Sequence, residues 1–125
     1  MKWVSAKEVI GIHDRLLALL AGVPGMPDPD RAEAIIYRVQ NRHFYESVDD
    51  LFELAATYLV AIARGHIFND GNKRTALAVS MLFLRRNGIV LAVTGSVLDD
   101  LTVDAATGDL LVAQVAQVLR KQCYN

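Results

Sequence analysis

Apolar residues recur at three- and four-residue steps along nearly the whole chain, the spacing that one buried face of a helix requires. After a Ser5/Glu8 capping box, Val9, Ile12, Leu16, Leu17 and Leu20 predict a first helix over about residues 6–20. The stretch AGVPGMPDPD, with its two Gly and three Pro, ends that helix and predicts a loop. Asp30, followed three residues on by Glu33, opens a second helix carrying Ala34, Ile35 and Val39. A third begins near Ser47, and its Leu51, Leu54, Tyr58, Leu59 and Ile62 form an apolar face running to Gly65, a natural stop. ALAVSMLFLRR (76–86) is apolar almost all round, which predicts a helix buried at the centre and ending at Asn87-Gly88. IVLAV reads as a short extended piece. Two further helices fit SVLDDLTVDAAT, opened by Ser96 and Asp99, and LLVAQVAQVLRKQ, whose Arg120 and Lys121 suit a helix C-terminus. The pattern predicts an all-α fold, one compact domain of about six helices over residues 1–125, with no repeat or linker.

Composition narrows the function classes. Thirteen Lys and Arg against fourteen Asp and Glu leave a net charge of −1, which gives no sign of a nucleic-acid or membrane-surface protein. Apolar runs such as YLVAIA are too short to span a bilayer, and the N-terminus lacks the apolar core of a leader. The single cysteine, Cys123, offers no disulfide within the chain and suits a reducing compartment. The expectation is a cytoplasmic domain.

The polar run HIFNDGNKRTA (66–76) interrupts this apolar background between two core helices. Gly71, Asn72, Lys73 and Arg74 fall in the first turn of the central helix, where backbone N–H groups lack partners and the helix dipole is positive. Such a turn holds an anion. Gly71 admits close approach, Lys73 and Arg74 add positive charge, and the Asn72 amide can donate, which together describe a phosphate cradle. Asp70 would repel phosphates unless it holds a Mg²⁺ ion that bridges to them. His66 then serves as general base for an incoming hydroxyl, its ordinary pKa of about 6.5 lying near working pH. Phe68 is an apolar peg anchoring the loop in the core. Singly, each of these residues has a structural explanation, and the case rests on their joint spacing.

Neighbouring motifs do not fit. A Walker loop needs four residues between its glycines, whereas five separate Gly65 from Gly71. An EF-hand register places His66 first and Leu77 twelfth, where oxygen ligands belong. A zinc site from His66 and His43 lacks further ligands apart from His13.

H-I-F-N-D-G-N-K-R resembles the Fic/Doc motif, His-x-Phe-x-[Asp/Glu]-Gly-Asn-x-Arg, at every fixed position. Lys73 and Leu77 stand where the AMP-transferring Fic enzymes typically carry Gly and a second Arg, which is the pattern of the Doc branch. GVPGMPDPDRAEAI, YLVAIARGHIFND and FLRRNG extend the likeness over most of the chain. The resemblance implies a toxin of a toxin–antitoxin module, a kinase that uses ATP or another nucleoside triphosphate and Mg²⁺ to phosphorylate a threonine of elongation factor Tu and so block translation. It also implies His66 as general base, Asp70 as metal ligand, Gly71, Asn72, Lys73 and Arg74 as phosphate loop, and Phe68 as anchor. No glutamate here is followed by Gly or Asn, so the self-inhibitory helix of some Fic proteins has no counterpart. Restraint is expected from an antitoxin whose disordered C-terminal segment folds on binding, with residues 22–40 the first region to consider for its groove. A Fic-type nucleotidyl transferase and a catalytically silent helical binding module remain the alternatives.

Overall fold

The structure, a computed structural model, describes residues 1–26, 28–92 and 95–123. Among the described residues six helices form: α1 (Ala6–Leu19), α2 (Asp30–Phe44), α3 (Leu51–Arg64), α4 (Asn72–Arg86), α5 (Gly95–Thr107) and α6 (Val112–Lys121). They close around one apolar core, and the all-α architecture agrees with the periodicity.

Ser5 caps α1 through the predicted box, its hydroxyl accepting from the Glu8 N–H while the Glu8 carboxylate accepts from the Ser5 N–H. The buried stripe of α1 is Ala6, Val9 and His13, one step round the helix from the predicted face. Leu16 and Leu17 are half-buried and Leu20 is exposed, because that side borders an open groove. The start of α3 also moves, from near Ser47 to Leu51. Asp50 supplies the cap, accepting from the Phe52 and Glu53 N–H groups, and its other oxygen pairs with Arg120 of α6. Ser47 instead turns in the left-handed region at φ 59°.

α3 is the most enclosed element, with ten of its fourteen residues buried against α2, α4, α5 and α6. α4 is core on one side only. Ala76, Val79, Phe83 and Leu84 face α3 and the core, while Leu77, Ala78, Met81 and Leu82 stay half-buried, so the all-round apolarity of this helix leaves an uncovered greasy face. Of the IVLAV stretch, Leu91 pairs with Cys123 in an isolated antiparallel bridge, and Val93 lies outside the described residues.

The N-terminal strap fixes α1 beside the end of α4. The Tyr58 hydroxyl donates to the Val4 carbonyl and accepts from the Val4 N–H, both at 3.0 Å, and burial pushes this phenol up to about 12. Trp3 stacks on Phe83 at 5.8 Å, and Arg86 donates to the Trp3 carbonyl at 3.0 Å and pairs with Glu8. Among the described residues no helix is long and apolar enough to cross a membrane.

Candidate functional site

The polar run forms the turn between α3 and α4. Ile67 and Phe68 are buried beneath it, so the turn is pinned from inside by two apolar side chains. Asn72 closes it from above, its Oδ1 accepting from the Phe68 N–H at 3.1 Å and its Nδ2 donating to the Phe68 carbonyl at 2.9 Å. The amide that the sequence offers as an anion donor thus spends both ends on the loop, with one Nδ2 hydrogen remaining.

His66 is exposed and sits in the left-handed region at φ 50°, a conformation uncommon for a side chain with a Cβ. Arg31 of α2 reaches under it, donating from Nη1 to the His66 carbonyl at 2.9 Å and the Gly65 carbonyl at 3.4 Å. Asn69 is tied to the Pro-rich segment, its N–H to the Gly25 carbonyl at 2.9 Å and its Nδ2 to the Pro24 carbonyl at 3.0 Å.

Asp70 accepts from the Val23 N–H at 3.1 Å through one oxygen and from the Gly71 N–H at 2.8 Å through the other. The Val23 and then the Gly71 N–H hold its carboxyl below the usual carboxylate range, with smaller help from the charges of Arg74 and His13, so it is ionised at neutral pH. Gly22 makes the contact possible: a Cβ there would lie 3.0 Å from the Asp70 Oδ2 and 2.6 Å from Leu17 Cδ2.

Gly71 precedes α4 at φ 81° and ψ 13°, and no side chain caps the helix. The N–H groups of Asn72, Lys73 and Arg74 are therefore open to an anion, in the field of the positive helix end. Lys73 and Arg74 extend beside them as exposed cations. His66, Asp70, Gly71, Asn72, Lys73 and Arg74 line one cleft of about 620 Å³, with Ala106 and Thr107 of α5 as part of its wall, and Phe68 lies beneath its floor. The six residues proposed to act together in the sequence do meet in space.

Four contributions to the cleft lie outside the HIFNDGNKRTA run and are assigned no role from the sequence. Arg31, the Val23–Gly25 backbone, the α5 wall and His13 all come from distant positions; only His13, four residues after the buried Val9, has a local cue, a polar residue on an apolar stripe. No group of three His, Cys, Asp or Glu able to hold a metal exists among the described residues. Mg²⁺ beside a triphosphate draws on one or two carboxylates, with phosphate oxygens and water completing its shell, and the single ionised Asp70 fits that donor set.

Two apolar grooves of about 470 Å³ each flank the uncovered face of α4. One, bordered by Leu16, Leu20, Leu77, Met81 and Val103, runs up to Lys73 and Arg74. Beside α2, where the sequence directs attention first, the hollow is about 220 Å³ and carries Arg31 and Arg38.

Residues 3–84 match the model of the Fic/DOC family. The chain is 57% identical over 121 residues to a protein named protein kinase doc from Escherichia phage P1, an alignment covering 97% of this chain and 95% of that one. It is 36% identical over 91 residues to a protein named toxin Doc from Mycolicibacterium smegmatis, covering 71% of this chain and 65% of the relative.

Proposed function

The chain belongs to the Fic/DOC family, and from that premise we propose that it is the toxin of a toxin–antitoxin module, a protein kinase that transfers the γ-phosphoryl group of ATP or another nucleoside triphosphate to a threonine hydroxyl of elongation factor Tu and thereby blocks translation. The observation that carries the reading is the uncapped N-terminus of α4 opening into the same cleft as His66 and Asp70. A base, an ionised carboxylate and an anion cradle converge there, and a scaffold that only bound phosphate would need neither of the first two. The name of the phage P1 relative supports the kinase class.

Each residue has a task. The open N–H groups of α4, with Lys73 and Arg74, hold the phosphates. Asp70 would hold Mg²⁺, which when bound would neutralise phosphate charge. His66 takes the proton from the attacking threonine hydroxyl, whose oxygen bonds the γ-phosphorus in line as the bond to the nucleoside diphosphate breaks. Leu77 borders the apolar groove beside Lys73 and Arg74, and as a leucine it supplies no second guanidinium to grip the far end of a triphosphate bound for α-attack. That supports γ-transfer over AMP transfer. Elongation factor Tu incubated with α-labelled and γ-labelled ATP in parallel tests it: γ-label alone is expected on the protein, and α-label alone would replace the kinase by a nucleotidyl transferase.

The antitoxin is the expected partner, and the groove ending at Lys73 and Arg74 suits an amphipathic helix with acidic residues at one end. A disordered antitoxin segment should gain helix on mixing, seen by circular dichroism, and Met81→Asp should abolish the gain.

A further inference from the structure

We propose that His13 is a positioning residue that locks the peptide group between Asp70 and Gly71 in one orientation, and so holds both the Asp70 carboxylate and the anion-binding end of α4 ready for use. The proposal rests on the phosphoryl-transfer reading for its consequence, but not for its geometry.

His13 is 1% exposed, and its Nε2 lies 2.7 Å from the Asp70 carbonyl oxygen. A carbonyl oxygen only accepts, so Nε2 is the donor. The ring lies face to face on Phe68, centroids 3.6 Å apart and planes within 3°, and Nδ1 lies 3.1 Å from the exposed Asp14 carboxylate. The other end of the same peptide group, the Gly71 N–H, donates to the Asp70 Oδ1 at 2.8 Å. One peptide plane is therefore held at its oxygen by His13 and at its nitrogen by the carboxylate it positions.

That lock is needed because the residue after the peptide is glycine. Turning the plane over changes the sign of φ at Gly71, and glycine populates both signs about equally, so the residue itself does not fix the orientation. Gly71 stands at φ 81° with His13 beside it: a Cβ on Gly71 would lie 3.4 Å from His13 Cδ2 and 3.5 Å from Nε2. Without the bond from His13, the flipped plane would compete, carrying the Gly71 N–H away from Asp70 and the Asp70 carbonyl toward the phosphates. A ring that merely filled space would need the stack on Phe68 but not the hydrogen bond.

Three variants separate these roles. His13→Phe keeps the stack and removes the donor, His13→Gln restores a donor of similar reach, and His13→Leu removes both ring and donor. The first readout is the Gly71 amide signal in a ¹⁵N spectrum of the nucleotide-free protein, which requires no catalysis. It should shift and broaden in His13→Phe and return toward the wild-type position in His13→Gln. The second is transfer at varied Mg²⁺, where His13→Phe should need about 10–100 times more Mg²⁺ or turn over more slowly by a similar factor, as losses of such supporting contacts do. The wild type should also show a ring N–H signal from Nε2 protected from solvent exchange, which stays informative if a variant fails to fold. A wild-type Gly71 signal in His13→Phe, no recovery in His13→Gln, or an unprotected Nε2 proton would overturn the lock. Wild-type protein that shows the Gly71 and Nε2 signatures yet transfers no phosphate would instead reject the proposed function and leave the lock standing.

Discussion

Replacing Arg31 by Met keeps the aliphatic stem of the side chain and removes the two hydrogen bonds that clamp the backbone on either side of His66. The left-handed conformation of His66 costs about 1–2 kcal/mol. A charged donor to a carbonyl contributes about 1.5–3 kcal/mol when shielded, but the Arg31 side chain is 46% exposed and one of its two contacts is long, so about 1 kcal/mol is reasonable. The ion pair to Asp28, at 4.0 Å and equally exposed, adds little. The clamp thus roughly offsets the strain. Without it His66 relaxes toward ordinary φ, and the fraction of molecules with the imidazole over the cleft falls by about fivefold, since 1.4 kcal/mol corresponds to about tenfold. Relief of the strain compensates for the lost bonds in global stability, so the melting temperature should move by no more than about 2 °C. Steady-state transfer from γ-labelled ATP should show kcat down about fivefold with KM for the protein substrate unchanged, and Arg31→Lys should lie between. An unchanged kcat accompanied by a clear drop in melting temperature would show that Arg31 supports α2 and not the base.

His66→Ala should lower transfer by about 10²–10⁴-fold while helical circular dichroism is retained, because the contacts around His66 use its backbone; full activity would remove the base from the scheme. Asp70→Ala should abolish Mg²⁺-dependent transfer, and wild-type transfer insensitive to a chelator would contradict the metal role. Glu8 supplies a pH signature of the fold: Arg86, then the Ser5 N–H, hold its carboxyl down to about 2, so its contribution is present above the unfolded value of about 4.3 and disappears as pH falls toward 2. Melting temperature should therefore decline more steeply between pH 5 and pH 2 in the wild type than in Glu8→Gln, and parallel curves would refute the linkage.

The helices and the motif were legible because both are local: a heptad-scale repeat of apolar residues, and nine residues that fold around a single turn. Register against the rest of the molecule was less so. Leu16 and Leu20 look like core in the sequence yet border a groove, since apolar character marks a surface that faces a partner as readily as one that faces a core. The sequence starts α3 near Ser47, whereas Asp50 caps it and also has Arg120 to pair with, a contact from the far end of the chain. Asn72 could be placed at the turn into α4 but not recognised as the clasp of that turn, because the clasp depends on the Phe68 backbone returning to meet it. His13 and Asp70 are 57 positions apart, beyond the reach of any spacing argument.

The segments that hold the loop from outside share one direction along the chain. His13, Val23, Pro24, Gly25 and Arg31 all precede the residues that they hold. On a ribosome, every tether has therefore left the exit tunnel before the polar run emerges, and the loop can find its shape once the first turns of α4 follow. The roughly thirty residues from the end of the polar run to Thr107 emerge over about 2–6 s at about 5–20 residues per second. Of the cleft, the Ala106 and Thr107 wall is what arrives last. The order of synthesis thus places the chemical groups in position first and completes their enclosure with α5, so a nascent chain interrupted before that helix would display a tethered loop in an unfinished cleft.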